Sequence, residues 1–237
     1  AEESKKYDLS SLLAMRGEVA RGDSIFHYLQ GTKDEIEKIE NVLKQNKWQV
    51  TPYMGKNGTE ESFLNMHGKS PKLLHLATHG FYYTPNRAEN VDYLKGYTDA
   101  MSLSGLVLSG GNAAWLGKPL PKGVLGGILS ANDIARLDLS NTDMVVLSAC
   151  QTGQGKATAE GLYGLQRAFK KAGVGTIVMS LWNVSDKTTS EFMTTFYERL
   201  ADKKNAWNKR KAFEEAKEII RQKHPDPFHW AAFVMLD

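Results

Sequence analysis

Two apolar runs, Met144-Val145-Val146-Leu147 and Val174 to Leu181, constrain the fold more than any other feature of the chain. A strand that is apolar at every position has no face to turn to water, so it belongs inside a sheet covered on both sides. Between the runs, Leu162, Leu165, Phe169 and Ala172 recur at the spacing of one helix face. Parallel strands need a crossover of about a dozen residues or more, and this helix supplies it. The unit predicts an α/β domain with a mostly parallel sheet and helices on both faces.

Other segments extend the pattern. Thr32-Lys33-Asp34-Glu35 fits a capping box, and Ile36, Ile39 and Leu43 follow on one face, predicting a helix over 33–46. Trp48 to Tyr53 reads as a strand and Thr59 to His67 as a short helix. Lys72 to Thr78 reads as a strand broken by His79-Gly80. Residues 82–124 are rich in Gly, Asn and Pro, with a strand at Leu103 to Ser109. Ser130 to Leu137, Ser185 to Leu200 and Ala206 to Lys223 read as helices, and Phe228 to Leu236 as a last strand. Residues 1–30 read as an irregular lead-in or the end of an upstream region, and the chain as a piece of a longer one.

Composition removes several function classes. With 237 residues there is enough chain for a large core. One Cys excludes a disulfide framework and a Cys-rich zinc module. A net charge of +3 is too small to argue for a nucleic-acid partner. No apolar stretch reaches the ~20 residues of a membrane span, so no membrane partner is expected.

Ligands of an open parallel sheet bind outside the carboxyl ends of its strands. Two chemically capable residues fall at such ends: His79 after the strand 72–78, and Cys150 after the strand 143–149. Cys needs little activation as a nucleophile, and less beside an imidazolium. Gly80 follows His79 and Gly153 comes soon after Cys150, where backbone amides can face a developing oxyanion. The bland alternative is a buried apolar Cys and a hydrogen-bonded His.

The segments Leu74-His75-Leu76-Ala77-Thr78-His79-Gly80-Phe81 and Val145-Val146-Leu147-Ser148-Ala149-Cys150-Gln151-Thr152-Gly153 resemble the two signature segments of the CHAT family, caspase-like cysteine peptidases related to caspases, gingipains and separase. Gly31 to Ile36, Gly105 to Leu108, Glu160-Gly161-Leu162, Ser180 to Asp186 and Trp230 to Phe233 are similar to the same family, in order. The resemblance implies a caspase-like three-layer sandwich over residues 31–237 and a cysteine endopeptidase acting on protein or peptide substrates. His79 and Cys150 would form the catalytic dyad, and the amides of Gly80 and Cys150 the oxyanion hole. No third member is evident; a backbone carbonyl or a polar group would orient His79. The resemblance also implies control by upstream tetratricopeptide repeats, which this chain lacks, and no cofactor.

Asp186 matches the position at which separase-like relatives read a basic residue before the cut, and Glu160 is a second acidic candidate for substrate binding. The competing reading is that Asp186 caps the helix beginning near Lys187. A basic-selective pocket would make Lys122 a self-cleavage site, while Pro119 would protect Lys118.

His75 and His79 are four apart on one strand, hence about 13 Å apart, too far to share a metal. His75 reads as a hydrogen-bonded strand residue, and no structural metal is expected. The stretch 152–157 looks like a phosphate loop, but that pattern requires Gly at 150 and Ser or Thr at 157, where this chain has Cys150 and Ala157. The basic cluster of Lys203, Lys204, Lys209, Arg210 and Lys211 reads as solvated helix ends balanced by Glu214, Glu215 and Glu218. Two rivals to the peptidase remain: a non-catalytic interaction module keeping the fold, and an acyltransferase or esterase, whose G-x-S-x-G elbow is missing.

Overall fold

Alternation of buried side chains along β5 (Met144–Leu147) explains the layered architecture. Met144 and Val146 point into one core and Val145 and Leu147 into the other. This computed structural model describes residues 26–82, 101, 103–115, 119–120, 124–148, 159–182 and 184–237. The central sheet runs β1 (Leu73–Leu76), β5, β6 (Thr176–Ser180), β7 (Phe233–Leu236), in that order. The first three strands are parallel and β7 is antiparallel to β6.

One face carries α1 (Gln30–Gln45), α6 (Asp186–Ala201) and α7 (Lys209–Lys223). Ile39 and Leu43, Phe192 and Phe196, and Phe213 and Ile220 from these helices pack on Val146 and Val178. The other face carries α2 (Glu60–Leu64), α4 (Ala131–Ile134) and α5 (Ala159–Lys171). There Phe63, Ile134 and Phe169 cover Val145 and Ile177. Helices on both faces of a mostly parallel sheet make the three-layer α/β sandwich that the apolar runs predict.

A second sheet of three antiparallel strands, β2 (His79–Tyr82), β3 (Ser104–Val107) and β4 (Ile128–Ser130), lies beyond β1 in the chain. Gly105 makes its packing possible: a Cβ there would meet the Leu129 carbonyl oxygen at 2.5 Å and the Phe81 ring at 2.6 Å. A short helix, α3 (Gly111–Trp115), follows β3.

Several predicted elements shift. The Thr32–Glu35 capping box does not form. The helix starts at Gln30 with Leu29 at its cap, Thr32 Oγ1 donates to the Leu29 carbonyl at 2.7 Å, and Glu35 turns inward. Trp48 to Tyr53 is not a strand. Trp48 and Val50, both half-buried, pack on the core while Gln49, Thr51 and Pro52 face solvent, and the Trp48 ring lies tilted 5.0 Å from that of Trp207, so the segment is held by side chains rather than by a ladder. The predicted helix from Ala206 starts at Lys209, because Ala206 and Trp207 adopt positive φ and Asn208 Oδ1 accepts from the Lys211 N–H at 3.0 Å. The strand from Phe228 is shortened by α8 (Pro227–Trp230), which Asp226 caps with Pro227 at its first turn.

Candidate active site

Leu76 pairs with Leu147 and Leu147 with Met179, so β1, β5 and β6 end side by side. The rim they form is where an open parallel sheet receives a ligand. Three segments leave it: 77–79 after β1, the stretch that begins with Ser148 after β5, and 181–186 after β6.

His79 does not trail the central strand as a loop residue. It opens β2, paired with Val107 of β3, and Thr78 Oγ1 donates to the Val107 carbonyl just before it. His75 and His79 are therefore on different strands in different sheets, which corrects the one-strand reading. His79 is buried, 9% exposed, with its ring 5.3 Å from that of Phe26. Its Nε2 lies 2.6 Å from the backbone carbonyl of His27. A carbonyl oxygen only accepts, so Nε2 carries a proton, and in the neutral ring the lone pair sits on Nδ1.

Cys150 lies outside the described residues, as do Gly153 and the proposed cleavage point at Lys122 with Lys118 beside it. The described part of that segment ends at Ser148, which is buried and whose hydroxyl has no hydrogen-bond partner among the described residues. Gly80 is buried in β2, opposite Leu106.

Asp186 is the first residue of α6 and exposed. It is not the cap: Ser185 Oγ accepts the Thr188 N–H at 3.2 Å, which corrects the capping alternative. Asp186 lies against the start of α1, where a Cβ on Gly31 would stand 2.8 Å from Asp186 Cβ. Glu160 is the second residue of α5.

The lead-in to α1 is what sequence reasoning missed. Residues 26–29 are adjacent to the rim, with the Phe26 N–H donating to Asn112 Oδ1 at 2.7 Å and Asn112 Nδ2 donating to the Phe26 carbonyl at 2.8 Å. The group that meets His79 is a backbone carbonyl, which every residue carries, so no side-chain signal pointed to it. His75 is the hydrogen-bonded strand residue its position suggested. Its Nε2 lies 2.8 Å from Glu35 Oε1 and its Nδ1 2.9 Å from Tyr197 Oη.

Away from the rim, an open cavity of about 440 Å³ is lined by Arg199, Glu214, Glu215, Glu218 and Ile219. Arg199 is thirteen residues along α6 from Asp186, about 20 Å at the α-helical rise. The cavity therefore sits at the far end of that helix from the rim. His224 and His229 have rings 5.3 Å apart, and His224 Nε2 lies 3.0 Å from Glu191 Oε2. Among the described residues, no three His, Cys, Asp or Glu side chains are grouped to hold a metal, and no helix is long and apolar enough to cross a membrane.

A family model described as CHAT domain matches residues 4–237. Tetratricopeptide repeat protein 28 of Mus musculus is 32% identical over 111 residues, which is 46% of this chain and 4% of that protein. The same protein of Homo sapiens matches at 32% identity over 111 residues, again 46% of this chain and 4% of its own length. The matched segment is thus a small part of both relatives.

Proposed function

The chain belongs to the CHAT domain family, which is caspase-like, and on that premise we propose that it is a cysteine endopeptidase in which His79 and Cys150 form the dyad. The observation that carries the reading is the hydrogen bond from His79 Nε2 to the His27 carbonyl, 2.6 Å long, at the rim where β1 and β5 end together. With Nε2–H held by that carbonyl, Nδ1 is the nitrogen that takes the thiol proton. The group that orients His79 is thus a backbone carbonyl of the lead-in.

In the first half-reaction, the Cys150 Sγ–H proton passes to His79 Nδ1 and the thiolate adds to the scissile carbonyl carbon. The carbonyl π electrons move onto oxygen, and the amides of Gly80 and Cys150 hold that oxyanion. Collapse of the adduct breaks the C–N bond, His79 Nδ1–H protonates the leaving amine, and a thioester remains. Water then gives a proton to His79 and adds to the thioester. The acid leaves, and Sγ recovers its proton.

Substrate choice follows charge. Asp186, exposed at the rim, reads a basic residue before the cut, with Glu160 as a second carboxylate. The two relatives named for tetratricopeptide repeats support control by such a region upstream of residues 31–237.

The test is peptide-library cleavage by the full-length protein, wild type against Cys150→Ala, together with labelling by a thiol-reactive peptide. Cleavage that vanishes in the variant, with labelling at Cys150, supports the peptidase. Equal cleavage in both sinks the dyad. No cleavage and no labelling would leave a binding module with this fold.

A further inference from the structure

Glu35 is anomalous for its helix. Lys33, Asp34, Glu37 and Lys38 around it face solvent, while Glu35 is 3% exposed. A buried carboxylate needs partners, and His75 Nε2 supplies one at 2.8 Å. Tyr197, fully buried on α6, closes the set at 2.9 Å from His75 Nδ1. Burial and the nearby Glu35 charge push the Tyr197 hydroxyl well above its ordinary pKa, so it stays protonated. A carboxylate oxygen only accepts, so Nε2–H donates to Glu35 Oε1, and in the neutral ring Nδ1 accepts from the Tyr197 O–H.

The same two stretches of chain meet again at the rim. Four residues beyond His75 is His79, and eight residues before Glu35 is His27, whose carbonyl holds His79 Nε2. Between them Gly31 lies close against Asp186, leaving no room for a Cβ. Asn112 grips the backbone of Phe26 at the outer end.

We infer that residues 26–35 form a strap whose placement sets the orientation of His79, and that Glu35, His75 and Tyr197 are positioning residues pinning its inner end. The inference rests on reading His79 as the general base. Ile39 and Leu43 keep α1 on the core, but loosening Glu35 lets its first turn shift against β1, the His27 carbonyl drifts, and the His79 ring loses its fixed tautomer. A shift of about 1 Å at a reacting group costs up to about a hundredfold in rate with little change in substrate binding. The effect therefore falls on kcat rather than KM.

The experiment uses full-length protein with ¹⁵N-labelled histidine, as wild type, Glu35→Ala, Glu35→Gln and Tyr197→Phe. Imidazole ¹⁵N spectra read the His79 tautomer without any need for turnover, and peptide cleavage reads kcat and KM. The expected result is a protected Nε2–H signal of His79 in wild type and Glu35→Gln, lost in Glu35→Ala. With it, kcat falls about tenfold or more in Glu35→Ala at unchanged KM and is restored in Glu35→Gln. Tyr197→Phe, which removes one oxygen and keeps the ring, gives the same direction with a smaller effect and stands in if Glu35→Ala does not fold. An unchanged His79 signal in Glu35→Ala or, where that variant is unfolded, in Tyr197→Phe overturns the strap. Loss of the signal in a chain that never cleaves would uphold the strap and sink the peptidase reading alone.

Discussion

Leu76 stands opposite Leu147 as the last pair of a parallel ladder that begins at Leu73 and Met144. His79 comes three residues after the first and Cys150 three residues after the second. Neighbouring strands lie about 4.8 Å apart, and three residues of chain reach about 10 Å. Register thus brings the two segments out of the sheet together, and a one-residue slip would turn every buried side chain to the other face.

Cys150→Ala is expected to reduce cleavage by about a thousandfold or more, as loss of a covalent nucleophile does. Thermal unfolding of the variant should match wild type, because one sulfur is removed. Retained activity, or a collapse of the unfolding transition, would each speak against the assigned role.

Asp186→Asn should lower kcat/KM for peptides with Arg or Lys before the cut by about tenfold, while peptides with Leu or Met there change little. Equal loss on both sets, or a wild-type preference for Asp, would remove the basic pocket.

Phe192→Ala tests the core between the helices and the sheet. Phe192 stacks on Phe233 with centroids 3.9 Å apart and planes at 4°, both rings fully buried. The cavity left behind should cost about 3–5 kcal/mol, read by denaturant titration. A cost below about 1 kcal/mol would mean that the site repacks.

Gly105→Ala should destabilise by about 1–3 kcal/mol, since the new methyl collides with the Leu129 carbonyl and the Phe81 ring. The strain falls between β3 and the strand that opens with His79, so cleavage should drop alongside the melting temperature. Wild-type values for both would show that Phe81 moves aside freely.

Glu191 ties α6 to the end of α7 through Lys223 Nζ at 2.8 Å and His224 Nε2 at 3.0 Å. Hydrogen bonds from Lys223 and then from His224 hold its carboxyl below its ordinary value of 4.5. A depressed acid stabilises the fold above about pH 4.5 and loses that contribution as pH falls through its folded value. The stability gap between wild type and Glu191→Gln should therefore be at most about 1 kcal/mol at neutral pH, given partial exposure, and should close in acid. A gap that widens as pH falls would reverse the assignment.

Much of the fold is readable from local pattern. The all-apolar Met144 to Leu147 declares a strand covered on both faces, and Leu165, Phe169 and Ala172 declare one face of the crossover helix. Such patterns are legible because burial repeats at the period of the element itself. Where local chemistry had a rival, the reading failed. Glu35 fits a capping box three residues after Thr32, yet it turns inward to a half-buried His75 instead. Phe228 looks like strand, but Asp226-Pro227 starts a helical turn.

The sequence by itself determined the layered α/β core and the buried strands Met144–Leu147 and Thr176–Ser180 with the helix between them, because periodicity is a property of neighbouring residues. Only the tertiary structure decided that His79 opens a separate sheet, that its Nε2 meets a carbonyl 52 residues earlier, and that His75 meets a carboxylate 40 residues earlier. Those contacts join segments far apart in the chain. One partner is a backbone carbonyl, which is the same group at every position and acquires a role only when folding aims it at a particular ring.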